Sequence, residues 1–110
     1  MDCNLSMVRG DTLTFGVELK DENGELFTQD LDTAYFTCKT SYDAEDTVFQ
    51  KNLTFGISKV GTGKYVVRVA PQDTEGIEAG KYYYDFEIGV NSDKFTVLKG
   101  VLDIENDVTN

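Results

Sequence analysis

Residues Gly80 to Ile104, GKYYYDFEIGVNSDKFTVLKGVLDI, hold two long β-forming runs separated by a short polar break, and no other stretch constrains the fold as strongly. In the first run Tyr82, Tyr84, Phe86, Ile88 and Val90 fall at every second position, with Tyr83, Asp85, Glu87 and Gly89 between them. Successive side chains of a strand point to opposite faces, so this spacing predicts one buried and one largely solvated face. Asn91, Ser92 and Asp93 carry turn chemistry, and the pair of runs is expected to form a β-hairpin. In the second run Phe95 and Val97 alternate in one phase, whereas Leu98, Leu102 and Ile104 follow the other. A bulge at Gly100 is the expected source of that change.

The rest of the chain is read the same way. Cys3, Leu5 and Met7 alternate with polar residues in a short first strand that breaks at Arg9-Gly10-Asp11. Leu13, Phe15, Val17 and Leu19 mark a second strand, ending in the turn Asp21-Glu22-Asn23-Gly24. Leu31 to Tyr42 contains a third strand, with Ala34, Phe36, Cys38 and Thr40 on one face and Tyr35, Thr37, Lys39 and Ser41 on the other. After the acidic loop Asp43 to Asp46, strands are expected near Val48-Phe49, over Phe55, Ile57 and Val60, and from Lys64 to Ala70. Pro71 has no N–H for a sheet ladder and ends the last of these. One short helical turn is expected near 72–78, capped by Asp73 or Thr74, with Ile77 reaching the core. Seven or eight short strands spaced by turn signals predict an all-β, antiparallel, immunoglobulin-like β-sandwich, with a closed barrel as the alternative. At 110 residues the chain matches one domain, 1–110.

Charge narrows the partners. Twenty acidic and ten basic residues, with no histidine, leave a formal charge of −10. Phosphate backbones are held by concentrated Lys and Arg, so no nucleic-acid partner is expected. No apolar run approaches a membrane span, and MDCNLSMVRGD lacks the pattern of a secretory leader. Cys3 and Cys38 are too few for a disulfide framework; they would pair only if the first strand lay beside the third, and two half-buried thiols are the simpler expectation.

Motifs with chemical content are sparse. Arg9-Gly10-Asp11 suits an ordinary turn, and Asn4-Leu5-Ser6 and Asn52-Leu53-Thr54 match the glycosylation acceptor pattern by chance. Asp21, Asn23 and Glu25 lack the oxygen run of a calcium loop, and zinc has no ligand set, so no metal or cofactor is expected. Asp85 and Glu87 share one strand face, but no histidine is available as a base and a small sandwich rarely builds a deep cleft. No catalytic residues and no enzyme activity are therefore expected.

Three consecutive tyrosines force at least one ring onto an outer face. Tyr83 is that residue, with Tyr35 a neighbour on another strand, and both are candidates for partner contact. A binding module that stacks these rings against carbohydrate or another cell-surface ligand is the alternative use.

The succession Arg9-Gly10-Asp11-Thr12-Leu13-Thr14-Phe15, Phe36-Thr37-Cys38-Lys39, Gly63-Lys64-Tyr65, Pro71-Gln72-Asp73-Thr74, Gly80-Lys81-Tyr82-Tyr83-Tyr84-Asp85, Leu98-Lys99-Gly100 and Asp107-Val108-Thr109 resembles small immunoglobulin-like virion proteins of tailed bacteriophages and prophages. It is similar to the N-terminal domain of baseplate upper proteins. That resemblance implies a non-enzymatic structural or assembly module of a tail, baseplate, fibre or head decoration. It also implies other virion proteins as partners, an oligomer or larger assembly, and a virion location after assembly in the bacterial cytoplasm. A stand-alone adaptor subunit is the form expected of a chain that ends at Asn110.

Overall fold

The computed structural model describes residues 4–106. Eight strands and one helical turn follow in order: β1 Leu5–Val8, β2 Leu13–Glu18, β3 Thr33–Lys39, β4 Phe49–Asn52, β5 Ile57–Gly61, β6 Lys64–Val69, α1 Pro71–Thr74, β7 Gly80–Val90 and β8 Asp93–Glu105. A five-stranded sheet ordered β1-β8-β7-β3-β4 packs on a three-stranded sheet ordered β2-β6-β5. This is an immunoglobulin-like sandwich: β2, β6 and β5 take the places of strands B, E and D, while β3, β7 and β8 take those of C, F and G. β4 widens the second sheet beside β3, as in variable-type domains. Among the described residues no strand pair joins the two sheets, so the barrel alternative is excluded.

Alternation builds the core. Phe36, Phe86, Val67, Val69 and Leu102 are fully buried, and Tyr84 is 2% exposed. Phe36 contacts rings from three other strands, with centroids 5.4 Å from Phe15, 6.1 Å from Phe49 and 5.1 Å from Tyr84. Aromatic pairs at such separations add to plain area burial. Neither β2 nor β7 carries a cysteine, so the inter-sheet disulfide of antibody domains has no counterpart. Cys38 instead lies on β3, fully buried, where desolvation pushes its thiol up to about 12. Two strands stand between β1 and β3, so the first strand does not lie beside the third; Cys3 itself falls outside the described residues.

Several expectations are corrected. β1 runs parallel to β8, pairing Leu5 with Leu102 through Val8 with Glu105, in an otherwise antiparallel fold. The bulge lies before Gly100: Phe86 faces Leu98 and Glu87 faces Thr96, leaving Val97 as the extra residue. Gly100 keeps regular register opposite Tyr84. The hairpin turn contains only Asn91 and Ser92, both at positive φ (52° and 73°), and Val90 pairs directly with Asp93.

Val60 and Phe55 are 62% and 61% exposed, and only Ile57 of that group enters the core. Val60 falls where the β5–β6 register slips between Lys59 and Gly61. Phe55 sits in the preceding turn with its ring under the Lys51 ammonium, 4.6 Å from the centroid. The helix covers Pro71–Thr74, with Ala70 as its N-cap and Pro71 leading. Asp73 is inside it and accepts the Ala70 N–H at 2.7 Å. Thr74, fully buried, accepts the Gly10 N–H at 2.8 Å and ties the β1–β2 turn to the helix.

Candidate functional site

Pairing of β3 with β7 assembles the outer face that carries both candidate tyrosines. Tyr35 stands opposite Glu87, Thr37 opposite Asp85, and Lys39 opposite Tyr83. β4 adds Asn52 beside Tyr35 and Gln50 beside Thr37, and Gln50 Nε2 donates to Thr37 Oγ1 at 2.9 Å. All six residues on β3 and β7 are partly buried, while their in-register neighbours Phe36, Cys38, Tyr84 and Phe86 point inward.

Tyr35 and Tyr83 share this face without meeting. Glu87, the partner of Tyr35, lies four positions along β7 from Tyr83, roughly 13 Å on a strand. The neighbour of Tyr83 is Tyr42, with ring centroids 4.8 Å apart and planes tilted by 55°. Tyr42 follows β3, is 51% exposed, and donates its hydroxyl to the Gly100 carbonyl at 3.0 Å. That bond spans from the end of β3 to β8 and fixes the ring over the sheet. Sequence reasoning did not single out Tyr42, because only the Lys39–Tyr83 register brings the residues after β3 to this point.

Between the aromatic ends the face is polar. Tyr35, Lys39, Thr47, Gln50, Asp85 and Glu87 border a shallow hollow of about 220 Å³. The Asp85 carboxyl is pushed above its ordinary range, first by burial and then by the Glu87 charge, with Lys39 opposing. A desolvated carboxyl of this kind gains from any hydrogen-bond donor brought to it. Chemically, the face offers one aromatic pair, with Tyr42 half exposed and Tyr83 partly buried, and a band of donors and acceptors along the sheet.

The other sequence motifs resolve as local structure. Arg9 Nη1 donates to the Ile77 carbonyl at 3.2 Å, and Gly10 takes φ 83°, so Arg9-Gly10-Asp11 is a turn held against the α1–β7 connection. Asp21 Oδ1 accepts from Asn23 N at 2.9 Å and Glu25 N at 3.1 Å, closing an Asx turn. Asn52 Oδ1 accepts both the N–H and the hydroxyl of Thr54. Among the described residues no group of three or more His, Cys, Asp or Glu side chains is placed to hold a metal ion, and no helix is long and apolar enough to cross a membrane.

No protein-family model matches the chain, and no curated protein matches it. Among solved structures, the extracellular domain of the voltage-gated sodium channel beta4 subunit, described as a parallel homodimer that explains a role in cell-cell adhesion, is similar over 97% of this chain and 93% of its own, at 10% identity and a TM-score of 0.42.

Proposed function

We propose that this chain is a non-catalytic docking module that binds another protein through the outer face of its five-stranded sheet, as a structural or assembly subunit of a tailed-phage virion. The observation that carries the docking is the Tyr42–Tyr83 pair, in which Tyr42 is half exposed yet held by the Gly100 carbonyl and Tyr83 is partly buried beneath it. A ring already fixed in the free protein loses little rotamer freedom on binding, which is why tyrosine is a frequent interface anchor. Asp85, Glu87, Lys39 and Gln50 surround that anchor with groups suited to a polar rim. Placement in a virion rests on the resemblance carried by segments such as Arg9–Phe15 and Gly80–Asp85.

The test is made on phage particles produced from the genome that encodes the chain. The chain is expected to be detected in purified particles by mass spectrometry. Replacing Tyr42 and Tyr83 together by Ala is expected to remove it from them while the isolated protein keeps a cooperative thermal transition. A chain that stays monomeric and never accompanies particles sinks the assembly role. Glycan-array binding that vanishes in Tyr83→Ala would instead establish the carbohydrate-binding alternative.

A further inference from the structure

We infer that the flank between the end of β2, with its following turn, and the first half of β8 is a groove in which β8 accepts an extended, basic segment of a partner protein as an added strand, separate from the tyrosine face. The groove encloses about 730 Å³, with Leu19, Phe27, Ile88, Phe95 and Val97 supplying its apolar lining. Phe95 is the telling residue. It pairs with Ile88, which is 5% exposed and points into the core, so Phe95 lies on the same inner side of the sheet, yet it is 52% exposed. The sandwich is therefore open along this flank.

One free strand edge borders the opening. β1 pairs with β8 only from Leu102 to Glu105, and among the described residues no strand pairs with the outer edge of β8 from Asp93 to Lys99. Opposite it, the rim is formed by Glu18 at the end of β2 and by Leu19 to Glu22 of the turn that follows, whose backbone is already bonded to Gly63, Phe27 and Glu25. An unpaired edge beside an apolar trough is the arrangement that recruits an added strand: backbone groups provide the ladder and alternate side chains fill the trough. The bulge at Val97 and the charges of Lys94 and Lys99 blunt the β8 edge against indiscriminate pairing, so a matching segment is short and enters beside Asp93–Thr96.

Charge identifies the occupant. Glu18, Asp21 and Glu22 outnumber Lys20 in the lining, so the rim across from the Lys94-bearing β8 edge is acidic, and the whole chain carries −10. A second copy brings the same excess of negative charge to this rim, whereas a segment alternating apolar and basic residues places apolar side chains inward and cations along the acidic border.

The experiment uses the intact chain and a fluorescent peptide of roughly seven residues, about 23 Å extended, alternating Val and Lys. Expected are saturable binding that weakens with added salt, slowed amide exchange within Asp93–Val97, and about tenfold weaker binding by Phe95→Lys, which sets a charge on the apolar lining. Tyr83→Ala is expected to bind the peptide like the parent, which keeps this result apart from the fate of the tyrosine face. Because Phe95 is half exposed, Phe95→Lys is expected to keep the parent's thermal transition. No binding, equal binding of a Val and Glu peptide, unchanged exchange in β8, or self-association that protects the same amides would each overturn the proposal.

Discussion

Lys51 is 2% exposed on β4, an unusual position for an ammonium. Its Nζ meets Asp73 Oδ2 at 2.5 Å, and the same carboxylate oxygen accepts the Ala70 N–H, so one acidic side chain both caps α1 and neutralises the lysine. The stem is packed as well: at Gly56, which has φ 100°, an added Cβ would stand 2.6 Å from the Lys51 Cδ. Removing one member of a buried pair strands the other, at about 3 kcal/mol or more. Lys51→Ala and Asp73→Ala are each expected to lower unfolding free energy by roughly that amount in urea titrations, and Lys51→Met by less because it restores the packed stem. Equal losses for Ala and Met at position 51 would assign the whole effect to charge. Period-two spacing does put Lys51 on the side of Phe49. What the local sequence could not disclose is its partner, because Asp73 arrives from the connection between β6 and β7.

At the scale of elements, β7 opens with a device that sequence reading passed over. Tyr82 was recognised as a core residue from its alternation, but its hydroxyl also donates to the Glu78 carbonyl at 2.6 Å, bridging the α1–β7 connection to the strand. This is the geometry of the tyrosine corner of immunoglobulin-like sandwiches, in the expected strand. Tyr82→Phe keeps the ring and deletes that bond, so a loss of about 1 kcal/mol is expected, seen as a drop of roughly 4 °C in thermal midpoint. An unchanged midpoint would show that solvent replaces the hydroxyl without cost. The β7–β8 hairpin was legible for a related reason: its signal is local, both strands and turn lying in one continuous stretch. Its bulge was legible only as a change of phase. Which residue absorbs the change depends on the strand opposite, and pairing assigned it to Val97 instead of Gly100.

For the molecule as a whole, class and strand count follow from alternation, while sheet order and the grouping of surface residues depend on contacts between distant segments. Alternation puts Tyr35 and Tyr83 on one face of the sheet, but their separation, the Tyr42 contact and the open β2–β8 flank emerge only once strands are paired. The same long-range assembly decides how acidity acts on stability. Asp85 is held near Glu87 on a partly buried face, and both burial and that charge raise its pKa. Its folded form therefore binds a proton at a higher pH than its unfolded form, so stability rises as pH falls from the raised value toward the ordinary 3.8, and this share is lost as pH rises again. The exposed Asp30–Lys59 pair works in the opposite sense, since Lys59 lowers the Asp30 pKa and its small contribution fades in acid. Comparing the chain with Asp85→Asn isolates the Asp85 effect from the general easing of repulsion in a protein of charge −10. The Asn variant is expected to have the higher urea midpoint at pH 7, with the gap shrinking steadily toward pH 4. A pH-independent gap would instead trace the effect to the changed side chain itself, leaving the Asp85 proton with no part in setting the stability of this face.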